Sequence, residues 1–211
     1  MSDIVLYEYW RSSASYRVRI ALGLKGLVWR SAPVDLLSLD QRSEGFALKN
    51  PQGRVPVLEI DGLTLTQSLA MIEYLEETRP APALLPDDSA GRARVRALAH
   101  LLAMEVQPVL NMNVLERVES FGDGDSREGW TRHFMPQGLG AFEALLSAGP
   151  RGRFCHGDVP TLADLCLVPQ VYNALRWDID LGMYPRISRV VSACGEEPAF
   201  AAAHPDNHKP N

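Results

Sequence analysis

Cysteine is scarce in this chain: Cys155, Cys166 and Cys194 are all it has in 211 residues. The number is odd and no two lie close together, which excludes a disulfide framework and gives no zinc-ligand spacing. Such cysteines read as buried or idle thiols in a reducing compartment. Long apolar runs are missing too: no stretch reaches the roughly 18 consecutive apolar residues that a spanning helix needs. The segment Met1–Trp10 has no basic region ahead of an apolar one, so no secretory signal is read there. A soluble, cytoplasmic protein is expected. Nor is there a basic excess: 21 Lys+Arg against 26 Asp+Glu give a formal net charge of −5. That argues against nucleic acid or an anionic membrane as a partner. His100, His133, His156, His204 and His208 show no metal-ligand spacing, and no metal site is expected.

What is present suffices for a sizeable core without staples, with 46% hydrophobic and 22% charged residues. The first 80 residues alternate strand-like and helix-like segments. Ile4–Tyr9 reads as a strand, Arg17–Lys25 as a helix ended by Gly26, and Trp29–Val34 as a second strand. Asp40–Leu48 reads as a loop with a short helix. Val57–Ile60 and Leu63–Leu65 flank Asp61-Gly62, a strong type I′ hairpin signal, and Gln67–Thr78 is helical. Prolines at 80, 82 and 86 mark a linker over residues 81–89. Beyond it no segment resembles a strand. Arg92–Val118 is a long helical pattern with a kink expected at Pro108. Phe121–Glu128 reads as a loop, and His133–Ser147 as a helix. Thr161 and Asp164 form a capping box ahead of Leu165–Leu175. Two short helices follow, Pro185–Ala193 and Pro198–Ala203, and the tail after His204 is expected to fray. The resulting division is an α/β domain over 1–80 and an all-helical domain over 90–211.

Three places carry chemistry. Ser12, Ser13 and Ser15 stand where a strand turns into a helix. Free N–H groups and the helix dipole stabilise an anion there, including a thiolate, and the same serines also serve as ordinary caps. Val55-Pro56 opens a strand, where a cis bond would turn a backbone edge outward. Gln67-Ser68 starts another helix and suits either a carboxylate or plain capping. Tyr7 and Tyr9 fall inside the first strand and read as packing residues.

These segments together resemble the zeta-class glutathione transferases, the maleylacetoacetate isomerases. The run Arg11-Ser12-Ser13-Ala14-Ser15-Tyr16-Arg17-Val18-Arg19-Ile20-Ala21-Leu22 is similar to that class's serine-rich signature. Asn50-Pro51, Val55-Pro56, Asp61-Gly62, Gln67-Ser68-Leu69-Ala70, Gln107-Pro108 and Thr161 through Val171 continue the likeness, which covers residues 4–204. The resemblance implies a thioredoxin-like N-terminal domain packed on an all-helical C-terminal domain, with the site in a cleft between them. It implies reduced glutathione as cofactor and a homodimer. It also implies cis–trans isomerisation of maleylacetoacetate in tyrosine and phenylalanine breakdown. The alternatives are maleylpyruvate as substrate, or a non-catalytic binding protein of the same fold.

By resemblance, Ser12 and Ser13 activate the sulfur. Ala14, Arg17, Gln41, Val55, Pro56, Gln67 and Ser68 bind the cofactor, together with Gln107, Asn111, Met112 and Asn113. Arg11 and Arg176 meet substrate carboxylates, which a guanidinium fork suits. Ala14 stands where the signature most often has cysteine, so no protein thiol takes part in this mechanism.

Overall fold

Residues 4–122 and 126–210 are described by the computed structural model, whose chain divides into two units. Unit 1 combines Met1–Ala83 with Glu197–Asn211, and unit 2 is Leu84–Glu196.

Unit 1 is built on a four-stranded sheet: β1 (Val5–Glu8), β2 (Arg30–Pro33), β3 (Val57–Ile60) and β4 (Leu63–Thr66). The order is β2-β1-β3-β4, with β2 parallel to β1 and the other pairs antiparallel. Asp61 and Gly62 both have positive φ, 52° and 78°, as the type I′ turn between β3 and β4 requires. The first helix, α1 (Ser13–Leu24), follows β1, and α2 (Glu44–Ala47) follows β2. The hairpin leads into α3 (Ser68–Thr78), which completes the thioredoxin-like arrangement.

On one face of the sheet, Val34, Phe46 and Val57 form a small apolar cluster with Tyr7, Leu36 and Val55 around it. Val18, Ile20 and Leu22 of α1 and Met71, Ile72 and Leu75 of α3 are buried, and the two helices are in contact. Each of these side chains is worth roughly 1.5–3 kcal/mol.

Unit 2 has no strand among the described residues. Its elements are α4 (Ser89–His100), α5 (Met112–Glu119), α6 (Ser126–Ser147), α7 (Leu162–Leu175) and α8 (Pro185–Gly195). The capping box forms as expected: Thr161 N–H and Oγ–H both donate to Asp164 Oδ2 at 2.8 Å. At Gly138 of α6, a Cβ would overlap Val106, so only glycine permits this helix approach.

The structure departs from the sequence reading in four places. First, α1 starts at Ser13 rather than Arg17, because Ser12 caps it by accepting from Ser15 N. Second, the long pattern 92–118 is not one kinked helix. It passes from α4 through π-helical turns at Leu101–Val106 and a 3₁₀ turn at Pro108–Leu110 before α5 begins. Third, of the loop expected over Phe121–Glu128, residues 123–125 lie outside the described residues, and Ser126 already opens α6.

The fourth departure concerns the C-terminus. The sequence assigns 197–211 to the helical domain with a frayed end. The described part instead folds back within unit 1 as α9 (Pro198–Ala202) and a 3₁₀ turn at Pro205–His208. Phe200 is buried, and Ala199 approaches α1 so closely that a Cβ at Gly23 would stand 3.2 Å from the Ala199 Cβ.

Candidate active site

Strand register gathers the candidate residues of unit 1 at one end of the sheet. Glu8 pairs with Pro33, Tyr7 with Val57, and Val57 with Thr66. The C-terminal end of β1, leading to Ser12, therefore lies beside the start of β3 at Val55-Pro56. The end of β4, leading to Gln67-Ser68, lies on the far side of β3. The end of β2, leading toward Gln41, completes the row.

The serine turn is tightly specified. Ser12 N–H donates to Tyr9 O at 2.9 Å and closes a β-turn. Ser12 is extended (φ −65°, ψ 120°), and its Oγ accepts from Ser15 N at 3.2 Å. That bond occupies a lone pair and leaves the hydroxyl proton to donate elsewhere. Ser13 and Ala14 are the first two residues of α1, whose first turn carries no acidic residue. The positive end of the helix is therefore not neutralised from within. Arg11 lies over the Trp10 ring at 4.9 Å and donates to Tyr9 Oη at 3.1 Å. Tyr7 donates to Glu59 at 3.2 Å, and Tyr9 is buried.

Arg17 joins the two helix starts. It is buried, and its Nη1 donates to Ser68 Oγ at 3.1 Å. Gln67 sits at φ 67°, ψ 110°, unusual for a residue with a Cβ. Such a conformation costs on the order of 1–3 kcal/mol and persists where its surroundings over-determine it. Here Met71 N–H donates to Gln67 O at 3.0 Å, and Gln67 Nε2 donates to Gln52 Oε1 at 2.7 Å.

The Val55–Pro56 peptide is cis, and so is Ala81–Pro82, which the sequence does not flag. Buried Asn50 shapes the preceding loop, donating to Arg54 O at 2.7 Å and accepting from Gln52 N at 3.1 Å. Gly53 combines φ 59° with a virtual Cβ only 3.1 Å from Gln41 O. Gln41 Oε1 is buried with no hydrogen-bond partner among the described residues, an acceptor suited to an incoming N–H.

The remaining candidates belong to unit 2. Gln107 Nε2 donates to Asn111 Oδ1 at 3.0 Å. Asn111 precedes α5, and Met112 and Asn113 open it, both exposed. Arg176 is the exposed C-cap of α7, with Nη1 donating to Asn173 Oδ1 at 3.3 Å.

Gln52, which no sequence motif singles out, stands beside the candidates through its bond from Gln67. Its place three residues before Val55, in a loop organised by Asn50, was the available signal. The cysteines gather although they are remote in sequence. Cys155 N–H donates to Asp164 Oδ1 at 2.8 Å, and Cys194 Sγ lies 3.9 Å from the same oxygen. Burial, then the Asp164 carboxyl, pushes the Cys155 thiol well above its ordinary range, which keeps it protonated. Among the described residues no cluster of His, Cys, Asp or Glu could hold a metal ion. No helix among them is long and apolar enough to cross a membrane.

Residues 6–83 match the glutathione S-transferase N-terminal domain family. The maleylacetoacetate isomerase of Rhizobium meliloti is 54% identical over 211 residues, covering 99% of each chain. A solved maleylpyruvate isomerase, described as a bacterial zeta-class glutathione transferase, superposes with a TM-score of 0.94. It is 44% identical over 98% of this chain and 99% of that one. The maleylacetoacetate isomerase of Anaeromyxobacter dehalogenans, solved with glutathione in its active site, gives a TM-score of 0.89 at 48% identity. That match covers 99% of this chain and 97% of the other. On this likeness, which runs the full length of the chain, the protein belongs to the zeta-class glutathione transferases, the family of the maleylacetoacetate isomerases.

Proposed function

We propose that the protein is a glutathione-dependent cis–trans isomerase that converts maleylacetoacetate to fumarylacetoacetate in aromatic amino-acid breakdown, in the cytoplasm and as a homodimer. The 54% identity to a maleylacetoacetate isomerase over essentially the whole chain carries this reading. Three buried cysteine thiols suit a reducing compartment.

The residues of unit 1 fit the cofactor. A hydroxyl proton is available at Ser12, a helix N-terminus stands behind it, and the Gln41 Oε1 acceptor is unsatisfied. When bound, glutathione supplies a thiol sulfur that adds reversibly to the conjugated double bond and leaves once the carbon–carbon bond has turned. Ser12 Oγ–H donates to that sulfur and, with the N–H groups at the start of α1, favours its ionised form. Ser13 and Ala14 supply those N–H groups. Val55 offers backbone groups to the peptide portion, while Gln67 and Ser68 receive its γ-glutamyl end, with Arg17 fixing the Ser68 hydroxyl. Arg11 and Arg176 meet the substrate carboxylates.

Calorimetry on metal-free protein is expected to show reduced glutathione binding, unchanged by a chelator. No binding would defeat the proposal. The decisive assay offers maleylacetoacetate and maleylpyruvate with and without glutathione. Turnover of neither would overturn the isomerase assignment. A higher kcat/KM for maleylpyruvate would select the second substrate, which the likeness to a maleylpyruvate isomerase supports. Arg176→Ala is expected to lower kcat/KM at least about tenfold, the low end for a lost charge-assisted bond. Glutathione affinity should stay nearly the same. Equal damage to both would make Arg176 structural.

A further inference from the structure

Arg19 is the seventh residue of α1, has no exposed surface and takes no part in the site described above. Its guanidinium ties together three chain segments. Nη1 is ion-paired with Glu8 at the end of β1. Nη2 donates to Trp10 O at 3.0 Å, and Nε donates to Ala203 O at 3.0 Å. The Tyr16 ring lies 5.3 Å from the guanidinium.

The bond to Trp10 O bears on function. Trp10 is the second residue of the β-turn closed by Ser12 N–H and Tyr9 O. The two common turn types differ mainly in which way the peptide between the second and third residues faces. A donor fixed on Trp10 O holds that peptide in one orientation, and Ser12 is the next residue but one.

The C-terminal segment holds the guanidinium in turn. Beyond Ala203, the His204 ring meets Tyr16 edge-on at 6.3 Å. His208 Nδ1 lies 4.0 Å from Glu8 Oε1, which also accepts from Ser31 Oγ at 2.8 Å. Lys209 lies over the Trp10 ring at 5.7 Å. A cavity of about 400 Å³ opens between this segment and the end of the sheet, lined by Glu8, Trp10, Ser31, Asp35, His208 and Lys209 among others.

We propose that Arg19, anchored by the C-terminal segment through Ala203, is a positioning residue that fixes the serine turn and so sets how strongly Ser12 activates the sulfur. This rests on the glutathione-dependent reading above. A plain counter-ion for Glu8 would need only a positive charge. Arginine offers a rigid planar fork that can satisfy a carboxylate and two carbonyls together, whereas lysine keeps the charge without that geometry.

The test is Arg19→Lys in the full chain. Amide hydrogen exchange at Ser12 and Ser15 should quicken by about tenfold, while the β3 amides stay protected. The pKa of bound glutathione, followed by thiolate absorbance, should rise. Turnover should fall about tenfold at neutral pH and recover in alkali, with little change in the KM for glutathione. A folded variant with parental exchange and a parental pH profile overturns the proposal. So does a uniform loss at every pH. Deleting residues 204–211 keeps Arg19 and loosens its anchor, which guards against a lysine variant that fails to fold. Faster Ser12 and Ser15 exchange is expected, and parental exchange would remove the C-terminal segment from the mechanism. If the parent protein itself shows no thiolate signal with glutathione, the functional reading fails, and the exchange comparison still decides the role of Arg19.

Discussion

Ser12→Ala is expected to lower kcat about a hundredfold at neutral pH, the scale seen when one donor to a developing anion is removed. The loss is expected to arise at the Ser12 hydroxyl. Ser12 Oγ already accepts from Ser15 N, so its proton is the part of the hydroxyl left for the sulfur. A hydrogen bond to the ionised form lowers the pKa of the group that ionises, and its removal raises that pKa. Less of the cofactor is then ionised at neutral pH, and alkali restores it. The deficit should therefore shrink as pH rises. Alanine also forfeits a helix cap worth about 0.5–2 kcal/mol, which a urea midpoint measures separately. Ser12→Thr keeps both the hydroxyl and the cap and should retain most activity. A deficit that is the same at every pH would reduce Ser12 to a cap.

The second large effect is on stability. Asp164→Ala is expected to cost roughly 3–5 kcal/mol, because it strands the buried N–H groups of Cys155 and Thr161, each worth about 1–3 kcal/mol, and opens a cavity. For a chain of this size that corresponds to a Tm drop on the order of 10 °C. The pH dependence has a definite sign. Burial raises the Asp164 pKa above its ordinary 3.8, against the opposing pull of the Cys155 and Thr161 N–H donors. The carboxyl thus holds its proton more tightly in the native chain than in the unfolded one. Its share of stability is complete below the unfolded value and is lost as pH rises through the native value. The difference between parent and variant should accordingly widen toward acid. A variant that melts with the parent would mean that Asp164 does not hold this corner of unit 2.

Local chemistry was legible in the sequence wherever a few neighbouring residues decide it. Asp61-Gly62 announced its turn, Thr161 with Asp164 announced its cap, and the serines announced a helix start. Long-range consequences were not. Nothing local foretells that Arg17 and Arg19 are both buried; α3 and α9 both pack against α1. Nothing in their spacing foretells that Cys155 and Cys194 share Asp164, since only the fold of unit 2 brings them there. Gln67 reads as an ordinary residue before a helix, and its positive φ emerges from the junction of β4 with α3. The turn of Gly53 against Gln41 likewise depends on two segments meeting. Of the candidates in unit 1, the residue types were readable from the signature, whereas their grouping at one end of the sheet follows from strand register.

The return of Glu197–Asn211 to unit 1 has a bearing on biosynthesis. A ribosome makes Met1–Ala83 before unit 2, and the residues of Leu84–Glu196 must follow before Phe200 and Ala203 emerge. At about 5–20 residues per second, that interval lasts on the order of ten seconds. Throughout it Arg19 Nε has no Ala203 carbonyl to receive its proton, and Gly23 has no Ala199 beside it. The Arg19 contacts of α1 are therefore completed only after unit 2 has been made.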